Sequence, residues 1–266
     1  MDVREKTMHP ILLDLGFFQL PTYGLLLATG VVAALLTLRR RADRAGMDGA
    51  NLVDFTLWLV IWALVGSKLL LVIVELPRYL RDPASLLGVF RAGGVFLGGF
   101  IAAVIAATIL LHRYKMRALP TFDVITPSLA LGHCIGRIGC LLAGCCWGAS
   151  CDLPWAITYT DPVAAERLGT PLFHAVHPFP IYSAIFNLGL YLLLAALFKR
   201  PHAPGRIFAT YMVLYGIGRF ALEWTRGDVV RGFVLDGILS TSQLISLGMI
   251  VVGAGLHIWI SRRKTP

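Results

Sequence analysis

Charge is scarce in this chain. Only 15% of its 266 residues are Asp, Glu, Lys or Arg, where a soluble domain of ordinary composition carries about 25%. Acids are the rarer sign, 15 against 24 Lys and Arg. So little charge excludes a fully solvated surface. With 57% hydrophobic residues and a mean hydropathy of +0.73, the composition places the chain in a bilayer. The beginning of the chain lacks something too. Residues 1–20 have no basic region followed by an apolar core, so no cleavable signal peptide is expected.

Long apolar runs are what the chain has in place of charge. Five read "YGLLLATGVVAALLTL", "FTLWLVIWALVGSKLLLVIV", "GGVFLGGFIAAVIAATILL", "IYSAIFNLGLYLLLAALF" and "TSQLISLGMIVVGAGLHIWI". Several reach the roughly 20 residues that cross a hydrocarbon core. Two more spans, near 123–144 and 207–224, are interrupted by polar residues. The expectation is an all-α membrane protein of seven transmembrane helices, one integral-membrane domain over 1–266.

A net charge of +9 reads here as topology and not as a nucleic-acid surface. Basic clusters follow the first span (Arg39, Arg40, Arg41, Arg44), the third (Arg113, Lys115, Arg117), the fifth (Lys199, Arg200, Arg206) and the seventh (Arg262, Arg263, Lys264). These lie on one side of a seven-span chain. The positive-inside rule makes that side cytoplasmic. The C-terminus is then cytoplasmic, the N-terminus outside, and the polar loop 149–178, with Cys151 and Trp155, external.

Charges inside the spans cost a few kcal/mol each and so need a reason. They are Lys68, Arg137, Arg219 and Glu223, with His133 beside them and Arg226 at the outer end of the sixth span. His133 and Arg137 are four apart. Arg219, Glu223 and Arg226 fall at i, i+4 and i+7. Each set occupies one helical face. Arg219 and Glu223 form a self-contained ion pair on one reading. That leaves Arg137, Lys68 and Arg226 with no evident carboxylate, since the other acids near the spans are Asp54, Glu75 and Asp123. Surplus buried cations call for an outside anion, and a membrane supplies phospholipid head groups. The planar fork of arginine suits phosphate. Glycines at 93, 94, 98 and 99, and at 132, 136 and 139, read mainly as close helix packing.

The stretch "GHCIGRIGCLLAGCCWG" holds four of the five cysteines. With Cys151 the pattern is C-x4-C-C-x4-C, which matches no zinc spacing. Cys134 and Cys140 read as small apolar residues. A short disulfide from Cys145 or Cys146 to Cys151 is compatible with an oxidising exterior. No metal or cofactor is expected.

Taken in order, "TYGLLLATG", "GSKLLLVI", "RAGGVFLGGFIAA", "DVITPSLALGHCIGRIGCLLAGCCWG", "HPFPIYSA", "YGIGRFALEWTRGD" and "LSTSQLISLGMI" resemble the prolipoprotein diacylglyceryl transferase family over nearly the whole chain. The resemblance implies a bacterial inner-membrane enzyme whose partners are phosphatidylglycerol, preprolipoprotein signal peptides and membrane lipids, with no nucleic acid. The lipobox cysteine would attack the glyceryl carbon, forming a thioether and releasing glycerol phosphate. The resemblance makes Arg137 and Arg219 the essential arginines. Glu223 and Arg226 continue their motif, Tyr23 and Gly24 match a first-span pair, and Gly98, Gly99 and Gly148 match motif glycines. Lys68 joins the candidate binding residues.

Three departures stand out. The family signature "GR-x-GNFINGE-x-WG" here has Cys140, Ala143 and Cys145 at its asparagines and glutamate. "HPSQLYE" here has Pro180 and Ser183. The family histidine of "FHGG" is Leu97, which cannot take a proton. The base is then His133, Tyr23 or Glu223. Otherwise the chain is a weak or re-purposed relative that binds anionic lipid. A membrane thiol-redox protein is a third reading.

Overall fold

In the computed structural model the chain is mostly helical, 72% of it. The structure describes residues 8–16, 19–90, 93–228, 232–234 and 238–263. Lys264 of the last basic cluster, and Arg91 and Ala92 of "RAGG", lie outside the described residues. The helices are α1 (Thr22–Arg44), α2 (Gly49–Val74), α3 (Leu76–Arg81), α4 (Phe96–Arg113), α5 (Ala118–Ala143), α6 (Pro162–Leu168), α7 (Phe179–Phe198), α8 (Arg206–Leu222) and α9 (Thr241–Arg262). Six of them, α1, α2, α4, α5, α7 and α9, are long and apolar enough to cross a membrane. This is a multi-pass membrane protein. The span expected near 207–224 is α8, a helix of 17 residues followed by a 3-10 turn, Glu223–Thr225.

Strands were not expected. Among the described residues there are three two-stranded antiparallel ribbons: β1 (Ile11–Asp14) with β2 (Gln19–Pro21), β3 (Ile157–Thr158) with β4 (Ala175–Val176), and β5 (Phe233–Val234) with β6 (Leu239–Ser240). The first precedes α1 and the other two lie between helices, where the backbone has no helical partner and must pair otherwise.

The chain forms two compact units. One is residues 38–121. In it α2 and α4 touch through glycines: a Cβ at Gly98 would strike the Gly66 carbonyl and the Leu70 Cβ, and one at Gly99 would lie 2.8 Å from the Ala63 carbonyl. Lys68 donates to the Val89 carbonyl at 2.8 Å.

The other unit is residues 1–37 with 122–266. Here α1 meets α5 where Gly30 faces Gly132 and Thr37 bonds Ser128 at 3.0 Å. α8 packs on α9, with Gly216 against Ser246 and Gly253 against Met212. Ser240 and Gln243 close a capping box at the start of α9, which satisfies two otherwise orphaned donors.

The start of α8 is held from a distance. Asp123, buried on α5, accepts from the Gly205 N–H at 2.6 Å and the Phe208 N–H at 2.8 Å. A carboxylate at a helix N-terminus satisfies orphan donors and opposes the helix dipole. Each charge-assisted bond is worth about 1.5–3 kcal/mol. Asp123→Asn, which keeps one acceptor, should lose about half of this, and Asp123→Ala both bonds. Thermal unfolding in detergent should rank wild type above Asn above Ala; equal stabilities would show that Asp123 does not hold α8.

Candidate active site

Phe179 is the centre. Pro178 and Phe179 turn the chain from the loop into α7, with the Phe179 N–H on the His177 carbonyl at 2.7 Å. The ring is fully buried. Three guanidiniums lie over it: Arg226 at 5.2 Å from the ring centroid, Arg137 at 5.7 Å and Arg219 at 5.9 Å. All three distances are within cation–π range. Arginines from α5, from α8 and from the segment after α8 thus converge on one aromatic residue of α7. Like charges gather only where something offsets their repulsion. The ring quadrupole does part of this, and two carboxylates do more.

Arg219 pairs with Glu223 one turn on and donates to the Ser242 hydroxyl of α9 at 2.8 Å. Glu223 is buried, so the self-contained pair of the first reading forms. The expectation that Arg226 has no carboxylate is corrected. It grips Asp228 with both prongs, Nε to Oδ1 at 2.6 Å and Nη2 to Oδ2 at 2.8 Å. Asp228 lies past the helix end, after the 3-10 turn, where helical spacing no longer reports neighbours. Among the described residues Arg137 has no carboxylate within ion-pair distance. Three guanidiniums against two carboxylates leave one positive charge, and it is seated on Arg137.

Gly148 explains how Arg226 reaches the site. A Cβ there would collide with the backbone of His177 and lie 2.8 Å from the Thr225 carbonyl. The contact lets Gly148 bridge to Arg226, with the Ala149 N–H on the Thr225 carbonyl at 3.0 Å and the Gly227 N–H on the Trp147 carbonyl at 3.2 Å. The segment after α8 is thereby pinned to the loop that follows α5.

That loop carries the cysteines. All five are free thiols, and the bridge from Cys145 or Cys146 to Cys151 is not formed. Instead Cys140, Cys145 and Cys146 have their sulfurs within 4.8 Å of one another. Arg226 Nη2 lies 3.8 Å from Cys146 Sγ. Hydrogen bonds from the Cys140 and Cys145 thiols, with the charges of Arg137 and Arg226, hold the Cys146 thiol well below the usual thiol range.

His133 sits one turn before Arg137 on α5, its ring stacked on Tyr215 of α8 at 5.6 Å. Its Nδ1 is buried and has no hydrogen-bond partner among the described residues. Tyr23, half-exposed, lies on α1 against Gly139 of α5. Lys68, Gly98 and Gly99 belong to the 38–121 unit, where they make the contacts given above. Between α5 and α7 a cleft of about 240 Å³ is lined by Cys134, Arg137, Ile138, Leu141, Ile181 and Leu188, among others. Arg137 is the charged residue of an otherwise apolar lining. The sequence reading missed Phe179 and Asp228 as site residues, although both stand inside motifs it singled out.

The family model described as prolipoprotein diacylglyceryl transferase matches residues 10–259. A phosphatidylglycerol–prolipoprotein diacylglyceryl transferase of Clostridium tetani is 34% identical over 92% of this chain and 95% of its own length. The second such enzyme of Clostridium perfringens is 33% identical over 94% of each chain. That of Thermosynechococcus vestitus is 30% identical over 91% of this chain and 89% of its own.

Proposed function

The chain belongs to the prolipoprotein diacylglyceryl transferase family, and from that premise we propose that it transfers diacylglyceryl from phosphatidylglycerol to the thiol of a prolipoprotein cysteine. The observation that carries the reading is the surplus cation, Arg137, set over Phe179 at the edge of an apolar cleft. The cleft suits an acyl chain and the guanidinium suits the phosphate. Arg219 and Arg226, each tied to a carboxylate, frame the phosphate with less freedom to move. As the thiolate attacks the glyceryl carbon, an S–C bond forms and a C–O bond breaks. The leaving glycerol phosphate takes the electron pair, and the cations stabilise its charge. Glu223 orients Arg219. His133, with an unengaged ring nitrogen, accepts the thiol proton; Tyr23 is the second candidate.

The test uses purified protein in micelles with phosphatidylglycerol and a lipobox peptide. The expected result is a peptide heavier by one diacylglyceryl group, and a His133→Ala variant slower by about 100-fold or more at neutral pH. Arginine-dependent lipid binding without transfer would instead make this a re-purposed relative.

For topology we propose seven spans, with α8 as the sixth, the N-terminus outside and the C-terminus cytoplasmic. Seventeen residues is the lower end of what spans a bilayer, about 17–25. Basic residues stand at or just past the C-terminal ends of α1, α4, α7 and α9, which supports a cytoplasmic side there by the positive-inside rule and an external loop 149–178, at the inner membrane of a bacterium. A reporter fused after Thr170 should be active only outside the cytoplasm. Cytoplasmic activity would reverse the orientation.

A further inference from the structure

The site holds a cluster that the transfer reading does not use. Cys140 lies in the last turn of α5, and Cys145 and Cys146 return to it from the loop. The three sulfurs lie within 4.8 Å of one another. A d10 cation with metal–sulfur bonds of about 2.3 Å holds three thiolates roughly 3.8–4.0 Å apart, so small adjustments suffice to close around one.

The backbone is arranged for this. The Cys145 N–H bonds the Cys140 carbonyl at 3.1 Å, folding the loop back on the helix end. Gly144 and Cys146 have φ of +78° and +58°. Glycine adopts that conformation freely. A cysteine there is disfavoured, and the turn retains it with its sulfur beside the other two. Ligand positions i, i+5 and i+6 across a turn are invisible to spacing rules built for i, i+3 pairs, which is why the sequence pattern matched no zinc motif.

We propose that Cys140, Cys145 and Cys146 bind a thiophilic d10 cation such as Zn(II), with its fourth position open to the substrate thiol. Three protein ligands and one open position is the arrangement of catalytic zinc sites. A thiol bound to such a cation is deprotonated, which supplies the activation that Leu97 cannot. The inference rests on the transfer reading for its substrate. The incoming thiol gives its proton to the reaction's base and binds as thiolate. Its sulfur then forms the S–C bond, the glyceryl C–O bond breaks, glycerol phosphate departs with the electron pair, and the neutral thioether leaves the metal. No electron is gained or lost. Four thiolates on a divalent ion carry two negative charges. The surplus positive charge of Arg137 offsets one of them, and Arg226, 3.8 Å from Cys146 Sγ, faces the cluster while shared with Asp228.

The full-length protein, purified in micelles without chelator and under mild reduction, should bind one equivalent of Zn(II). X-ray absorption on wild type should give three sulfurs at about 2.3 Å and one lighter ligand. Lipobox peptide added without lipid should change this to four sulfurs. Cys140→Ser, Cys145→Ser and Cys146→Ser should each weaken binding at least tenfold, and Cys134→Ser and Cys151→Ser should not. Removing the metal should slow transfer about 100-fold, with recovery on adding Zn(II) alone. Transfer at full rate without metal, fewer than three sulfurs, or a disulfide within the trio in active protein would overturn the site while leaving the transferase reading intact. Metal binding with a fourth sulfur but no transfer product would keep the site and overturn the transferase reading.

Discussion

Arg137→Ala should slow transfer by about 100- to 1000-fold, the cost of removing one placed donor from a developing oxyanion, while leaving the fold nearly unchanged. The two effects separate at this arginine because of its partners. Arg219 and Arg226 each answer a carboxylate. Replacing either strands a buried or half-buried acid, so activity and stability fall together. Arg137 has no carboxylate partner among the described residues; it lies over the Phe179 ring and its charge bears on the Cys146 thiol. Its loss forfeits a cation–π contact of about 0.5–2 kcal/mol and relieves repulsion from two neighbouring guanidiniums. Arg137→Lys should recover little, because an ammonium cannot present two parallel donors or stack flat on a ring. The measurement is the transfer rate alongside thermal unfolding in the same detergent. Near-normal transfer by Arg137→Ala would remove the phosphate assignment. A large loss of stability would mean that the residue is structural.

Much of this site was legible because it is helical. A histidine and an arginine four apart, and an arginine and a glutamate four apart, declare a shared face from spacing alone. Apolar runs likewise outline the long helices, since a bilayer demands length and apolarity over a whole segment. Legibility stops where helices stop. Asp228 pairs with Arg226, an extended residue two positions before it and just past the 3-10 turn, and no helical periodicity links them. The thiol trio depends on two left-handed residues after α5. The ribbons are two to four residues long, too short for alternation to register. Phe179 is one more aromatic in an apolar sequence. Its role comes from three chain-distant arginines that only the packed fold assembles.

Phe179→Ala should be the most damaging single change in an uncharged residue. Truncating a fully buried phenylalanine typically costs about 3–5 kcal/mol. Here the ring also faces three guanidiniums. Two accounts of the ring are separable. It is either filler between α5, α7 and α8, or the surface that sets where the cations point. Phe179→Leu distinguishes them. Leucine restores most of the buried apolar volume, so unfolding should return to within about 1.5 kcal/mol of wild type. It offers no negative π face. Without that face the guanidiniums lose part of what offsets their mutual repulsion, and Arg137, which has no carboxylate among the described residues, is the freest to move. We expect Phe179→Ala to be destabilised and at least about 100-fold slower, and Phe179→Leu to be nearly as stable as wild type yet still at least about tenfold slower, since a misplacement near 1 Å is enough for such losses. If Leu restores the rate along with the stability, the ring is filler, and the convergence of the three arginines on it has no part in catalysis.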